Sequence, residues 1–199
     1  MVKQHKSMTA AELMAELQAD PEYQAKHQEK ERMLAEKEAN ARAEQKQLSE
    51  ELAKVGIHVT SAWDLLPIKA YPEAVPILIE HLQKPYSDGV LGGIARALTV
   101  REAVPYWNIL VGQYLKTENK PRPLGEAKDG LAVAVGGIAN YNDEDMMRVV
   151  IDILKDKRHG ESRVLMLRLL RKSSLPIAKD AINELVSDLQ LSKEILSWG

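Results

Sequence analysis

Ala74-Val75-Pro76-Ile77-Leu78-Ile79 returns 29 residues later as Ala103-Val104-Pro105-Tyr106-Trp107, with Ile109 and Leu110 continuing the apolar stripe. A second phrase, Gly-Gly-Ile-Ala, stands at Gly92 to Ala95 and again, 44 residues on, at Gly136 to Ala139. Recurrence at such spacings is what stacked helical hairpins look like in sequence, because each hairpin buries its apolar face only against the next. Outward from these phrases, residues 57–199 divide into helix pairs. Residues 61–70 form a short first helix broken near Pro67, and 73–83 its partner. After the turn residues Pro85 to Gly89 come 90–98 and then Thr99-Val100-Arg101-Glu102. That quartet has the form of a capping box and opens a helix reaching about Leu115. A Pro-containing linker at 116–124 precedes helices over 125–139, 143–155, 162–172 and 176–187. The first helix of each pair thus starts near 61, 88, 126 and 161. Pro76 and Pro105 each fall where an interior proline would lose a hydrogen bond. A late helix start accommodates the first, and a kink the second.

Residues 1–56 have a different character. Thr9-Ala10-Ala11-Glu12 is a capping box with a short helix after it, and Asp20-Pro21 is a second start, with Asp as N-cap and Pro at the first helical position. From Pro21 to Val55 there is no Gly and no further Pro, and Ala, Glu, Lys, Gln and Leu predominate. This predicts one helix of about 35 residues, or about 50 Å, closed by Gly56 as the C′ residue. Its stripe of Leu34, Ala41, Leu48 and Val55, with Leu52, is one-sided: the positions three further on are Lys37, Glu44 and Glu51, where a coiled coil needs apolar residues. The predicted organisation is therefore an N-terminal helical arm over 1–56 and an all-α repeat domain of about four helix pairs over 57–199. The arm either packs on the body through its last third or mediates self-association.

Composition restricts the chemistry. The 199 residues contain no Cys and no Phe. Disulfides, thiolate metal sites and thiol nucleophiles are excluded together, and the core must rest on thin aliphatic and alanine side chains. The first residues lack the apolar run of a secretory signal, and no stretch approaches the roughly 18 apolar residues of a membrane span. A cytoplasmic location without membrane contact is the expectation. Net charge is −2, but residues 146–172 carry Arg148, Lys155, Lys157, Arg158, Arg163, Arg168, Arg171 and Lys172 against Asp152, Asp156 and Glu161. Such asymmetry bears on partners rather than on fold.

The body resembles the HEAT-like helical repeats over roughly residues 57–190. The resemblance rests on Ala74-Val75-Pro76 with Leu78 and Leu82, Gly93-Ile94-Ala95-Arg96-Ala97-Leu98, Ala103-Val104-Pro105 with Leu110, and the apolar runs 130–135 and 163–170. With its Glu/Lys-rich arm, the whole chain looks like small bacterial HEAT-like proteins. The resemblance implies a curved α-α superhelix used as a binding surface, and it implies no reaction. The linker at 116–124 departs from regular stacking.

No constellation of catalytic residues stands out. No two of the five histidines, His5, His27, His58, His81 and His159, lie within five residues, so no helical two-His metal face is expected. Gly160-Glu161-Ser162-Arg163-Val164 begins like a nucleophile elbow but lacks the last Gly and a preceding strand, and Ser162 reads better as an N-cap. Neither a catalytic group, a metal nor a cofactor is expected. Arg96, Arg163, Arg168 and Arg171 are the candidate binding residues, with Asn140 between them in register. They form either a surface for acidic protein or phosphate, or an internal ladder between helices. The functional expectation is a non-enzymatic, protein-binding scaffold, of which a toxin-neutralising or regulatory protein is one version. The alternatives are a nucleic-acid-binding protein related to DNA repair, and an enzyme with a pocket between helix pairs.

Overall fold

The computed structural model describes residues 9–121 and 125–198, and all of its regular structure is helical, with no strand among the described residues. Residues 122–124 of the expected linker lie outside the described residues. The chain divides into two compact units, Met1–Ala43 and Glu44–Gly199.

In the first unit the capping box forms as read: Glu12 N–H donates to Thr9 Oγ1 at 3.3 Å, Thr9 N–H donates to Glu12 Oε2 at 2.8 Å, and α1 (Ala10–Ala19) follows. Asp20 closes α1 by donating to Glu16 O and opens α2 (Pro21–Glu44) by accepting from Glu22 N–H at 2.9 Å. None of the described side chains of α2 is buried, and Met33 and Leu34 are exposed. The helix is supported along its own length by solvent-screened ion pairs such as Glu22–Lys26 and Glu29–Arg32.

The single 35-residue helix is not what forms. It breaks at Gln45, whose backbone leaves helical geometry and whose side chain is 1% exposed. Gln45 Oε1 accepts the Ala62 N–H at 2.9 Å. A buried amide that satisfies an otherwise orphaned backbone donor outweighs one continued helical hydrogen bond. α3 (Lys46–Lys54) resumes beyond it, burying Leu48 and Leu52 and leaving Val55 exposed. Residues 44–56 therefore belong with the second unit. Gly56 ends α3 at φ 85°, with Gly56 N–H on Ala53 O and Ile57 N–H on Leu52 O, a complete Schellman closure.

Four pairs follow. The first is a 3-10 turn (Ala62–Leu65) capped by Ser61 and Asp64, with α4 (Ala74–His81). The second is α5 (Asp88–Ala97) with α6 (Trp107–Lys116), the latter entered through a 3-10 segment (Arg101–Tyr106) containing Pro105. The third is α7 (Glu126–Ile138) with α8 (Glu144–Lys155). The fourth is a 3-10 stretch (Lys157–Met166) continued by α9 (Leu167–Lys172), with α10 (Pro176–Leu185). A short α11 (Ser192–Leu196), which the sequence reading omits, ends the body. Pro76 is the third residue of α4, in the first turn, where an intrahelical donor is missing anyway. Pro105 is accommodated by the tighter 3-10 geometry ahead of α6.

α7 is central. Ala127, Lys128, Gly130, Leu131, Ala132, Ala134, Val135 and Ile138 are buried over most of its circumference, and a single face with Asp129, Val133, Gly136 and Gly137 stays open. It packs on α5, α6, the 157–166 stretch and α9, and α5 in turn packs on the 62–65 turn. The α5–α7 seam brings backbone against backbone: a Cβ at Gly130 would stand 2.6 Å from Gly92 O, and one at Gly92 would stand 2.7 Å from Glu126 O. Asp88, at the start of α5, reaches across and accepts the Ala127 N–H at the start of α7. Trp107 Nε1 donates to Val135 O at 3.0 Å. None of the helices described is long and apolar enough to cross a membrane.

Candidate functional site

The four arginines do not converge. Arg163 is wholly buried and pairs internally: Nη1 donates to Asp188 Oδ2 at 3.0 Å and to Leu154 O at 2.7 Å, Nε to Gly160 O at 3.0 Å, and Nη2 to Gln190 Oε1 at 2.6 Å. Its guanidinium fork ties the 3-10 stretch to the end of α8 and to the 188–190 loop, so it offers nothing to a partner. Arg96 is half-buried over the Trp63 ring, 5.2 Å from its centroid, with Nη1 3.5 Å from Gly92 O and Glu126 O at the α5–α7 seam. Arg171 is exposed and lies over Trp198 at 5.7 Å. Arg168 lines a groove.

That groove, about 480 Å³, is bounded by α7 (Val133, Gly136, Gly137), by the turn after it (Ala139, Tyr141) and by α9 with Leu165 of the 3-10 stretch ahead of it. Arg168 and Lys172 stand four apart on α9, hence on one face with Cβ atoms about 5–6 Å apart. Both are exposed, and neither makes a hydrogen bond or ion pair among the described residues. Leu165 and Tyr141, 36% and 42% exposed, add apolar surface. Thr99 forms part of the wall. The capping box read at Thr99 to Glu102 does not form: Val100 takes the N-cap position without a side-chain cap, and the Thr99 methyl fills the space over Gly137. Thr99 Oγ1 is left as a buried polar atom with no hydrogen-bond partner, a state that costs free energy unless something supplies the bond. Two free cations and apolar flanks suit a carboxylate-bearing segment.

A second polar cluster lies beneath the body's surface. The Lys128 ammonium donates to Tyr114 O, to Thr117 O at 3.0 Å and to His159 Nδ1 at 3.1 Å, and sits 3.8 Å from the Tyr114 ring centroid. Ser162 Oγ spends its hydrogen on His159 O, so the Tyr114 hydroxyl donates to Ser162 Oγ at 2.8 Å. Ser162 is thus not the expected N-cap, and its hydroxyl has no bond to the His159 ring, whose Nδ1 faces Lys128. Burial pushes Lys128 down to about 8 and Tyr114 up to about 12, and burial with the Lys128 charge lowers His159. Asp156, beside the His159 ring at 3.6 Å, is held well below the usual carboxylate range, chiefly by hydrogen bonds from Arg158.

The sign of the pH dependence follows from Lys128 and Tyr114. Between about pH 8 and 10 the unfolded chain keeps a lysine proton that the native state has released, so stability rises with pH. Above about pH 10 the unfolded tyrosine loses a proton that native Tyr114 retains up to about 12, so stability falls. Urea unfolding from pH 7 to 11 is expected to show this maximum, and Lys128→Met to remove the rise between 8 and 10. An unchanged rise in the variant would refute the assignment to Lys128.

One group of potential metal ligands, Glu51, Glu80 and His81, gathers within 4.8 Å among the described residues. Sequence spacing missed it because Glu51 and His81 are 30 residues apart and meet only when α3 packs on α4. No protein-family model, curated protein or solved structure matches the chain.

Proposed function

We propose that the chain is a cytoplasmic, HEAT-like helical scaffold that holds an acidic segment of a protein partner in the groove between α7 and α9, without catalysing a reaction. The observation that carries this reading is the pair Arg168 and Lys172, two exposed cations on one helix face with no acid of their own among the described residues, beside the apolar Leu165 and Tyr141. Charge complementarity then selects the partner. The HEAT-like assignment is supported by the serial packing of the first helices, from the 62–65 turn through α5 and α7 to the 157–166 stretch. A toxin-neutralising or regulatory protein would use such a surface.

Nucleic acid is the less favoured ligand. Within 146–172, Arg148, Lys155, Arg158 and Arg163 are neutralised by Glu144, Glu184, Asp156 and Asp188. Too few free cations remain to track a phosphate backbone, whose affinity grows with each phosphate neutralised.

Fluorescence anisotropy with labelled Asp/Glu-rich peptides bearing leucine anchors, beside basic peptides and duplex DNA, tests the reading. The acidic peptides are expected to bind. Arg168→Glu with Lys172→Glu is expected to weaken them at least tenfold, about 1.4 kcal/mol, while Lys30→Glu on α2 leaves them unchanged. Equal binding by the double variant, or retention of DNA in place of the acidic peptides, would overturn it.

A further inference from the structure

We infer that Glu51, Glu80 and His81 form a divalent transition-metal site, best suited to Zn²⁺, which Lys84 guards with its ammonium group. His81 is fully buried, and its two ring nitrogens face different demands. Nδ1 lies 2.7 Å from the Tyr86 hydroxyl, and the Tyr86 ring stacks on the imidazole at 5.8 Å. Nε2 faces both Glu51 Oε2 at 2.9 Å and Lys84 Nζ at 3.1 Å. These two neighbours cannot both be satisfied. A hydrogen on Nε2 serves the carboxylate and points at the ammonium, whereas a lone pair on Nε2 serves the ammonium and points at the carboxylate. Lys84 Nζ also lies 3.1 Å from Glu80 Oε1, so one ammonium occupies the place between imidazole and carboxylate where a cation would sit.

A divalent cation removes the conflict. It takes the Nε2 lone pair and both carboxylates, whose two charges balance its own, while Nδ1–H donates to the Tyr86 oxygen. Metal-bound histidines characteristically hold their other nitrogen in this way. Gln47 Nε2 donates to Glu51 Oε1 at 2.8 Å and so orients one ligand from behind. One imidazole nitrogen and two carboxylate oxygens are all donors that zinc takes, and the imidazole favours it over Mg²⁺ or Ca²⁺. Ligands about 2.1 Å from a tetrahedral zinc stand about 3.4 Å apart, so His81 and Glu51 must open slightly and Glu80, two-thirds exposed, must swing in. Lys84 is 28% exposed and can turn to solvent. The bound ion would bridge α3 to α4.

The test is calorimetric titration of Zn²⁺ into the chelator-stripped full-length protein, with thermal unfolding followed in parallel. One equivalent is expected to bind and raise Tm. Glu80→Gln, at an exposed position, should weaken binding about tenfold or more. Tyr86→Phe keeps the ring and removes the oxygen, with an expected loss of 10–100-fold. Lys84→Met should tighten binding, because no cation then competes for the place. Absence of a stoichiometric event in both the wild type and Lys84→Met, or equal affinity in all four proteins, would overturn the site.

Discussion

Arg163→Met is expected to destabilise the body by about 3–5 kcal/mol, the cost of leaving a buried charge without its partner. Asp188, 8% exposed, would keep only the backbone donors of its loop, and Leu154 O and Gly160 O would each lose the donor that Arg163 supplies. Methionine fills much of the stem's volume, so the loss reports the guanidinium rather than a cavity. In a body of this size the change corresponds to a fall in Tm of about 6–20 °C. Lysine should not rescue it, because one ammonium cannot reproduce a planar fork reaching a carboxylate, a side-chain amide and two carbonyls. The pair Arg163→Met with Asp188→Leu should recover a large part of the loss, since a buried ion pair removed whole costs far less than one broken. Denaturant midpoints for the wild type and the three variants decide the matter. A loss under about 1 kcal/mol for Arg163→Met would show that the pair is hydrated and not structural.

Gly130→Ala should cost the body about 2 kcal/mol, although alanine is the better helix former. The added methyl would stand 2.6 Å from Gly92 O and 3.0 Å from Gly92 Cα, both backbone atoms that cannot rotate aside. Overpacking of this kind reaches about 3 kcal/mol, and the helical preference of Ala over Gly returns about 1. Gly112 supplies the contrast. It lies inside α6 with nothing within 4 Å of an added Cβ, so Gly112→Ala should stabilise by about 0.5–1 kcal/mol. Opposite signs for the two substitutions in the same thermal or denaturant assay are the expected result. A stabilised Gly130→Ala would mean that α5 and α7 part without cost.

The elements legible in the sequence were those set by local chemistry. Thr9 with Glu12, Asp20 with Pro21 ahead of α2, and Gly56 after α3 each act within a few residues, and each does in the structure what its pattern indicates. Features that depend on a distant partner were not legible. Gln45 breaks the long helix because of Ala62, 17 residues on. Thr99 sits where a cap was read, but its methyl is needed over Gly137. The inward fate of Arg163 did leave a trace: Arg163, Met166, Leu167 and Leu170 are spaced as one buried helical stripe, and so are Lys128, Leu131, Ala132 and Val135. A cation in phase with core positions is more informative than a cation in a basic run. Arg168 and Lys172 fall on the opposite phase, the one that faces solvent.

The α5–α7 seam has a further consequence for how the body holds together as a whole. Substantial packing runs between consecutive helix pairs, so coupling between the ends must pass through each seam in turn. At the middle seam, between pairs two and three, glycine backbones touch. On either side of it stand only two pairs, fewer than the three or so that a stacked array needs to persist alone. All-or-none behaviour in the second unit therefore depends on this seam, where α5 and α6 both pack on α7, and the glycines that let α5 and α7 approach bear on whether the body unfolds as one transition or as two.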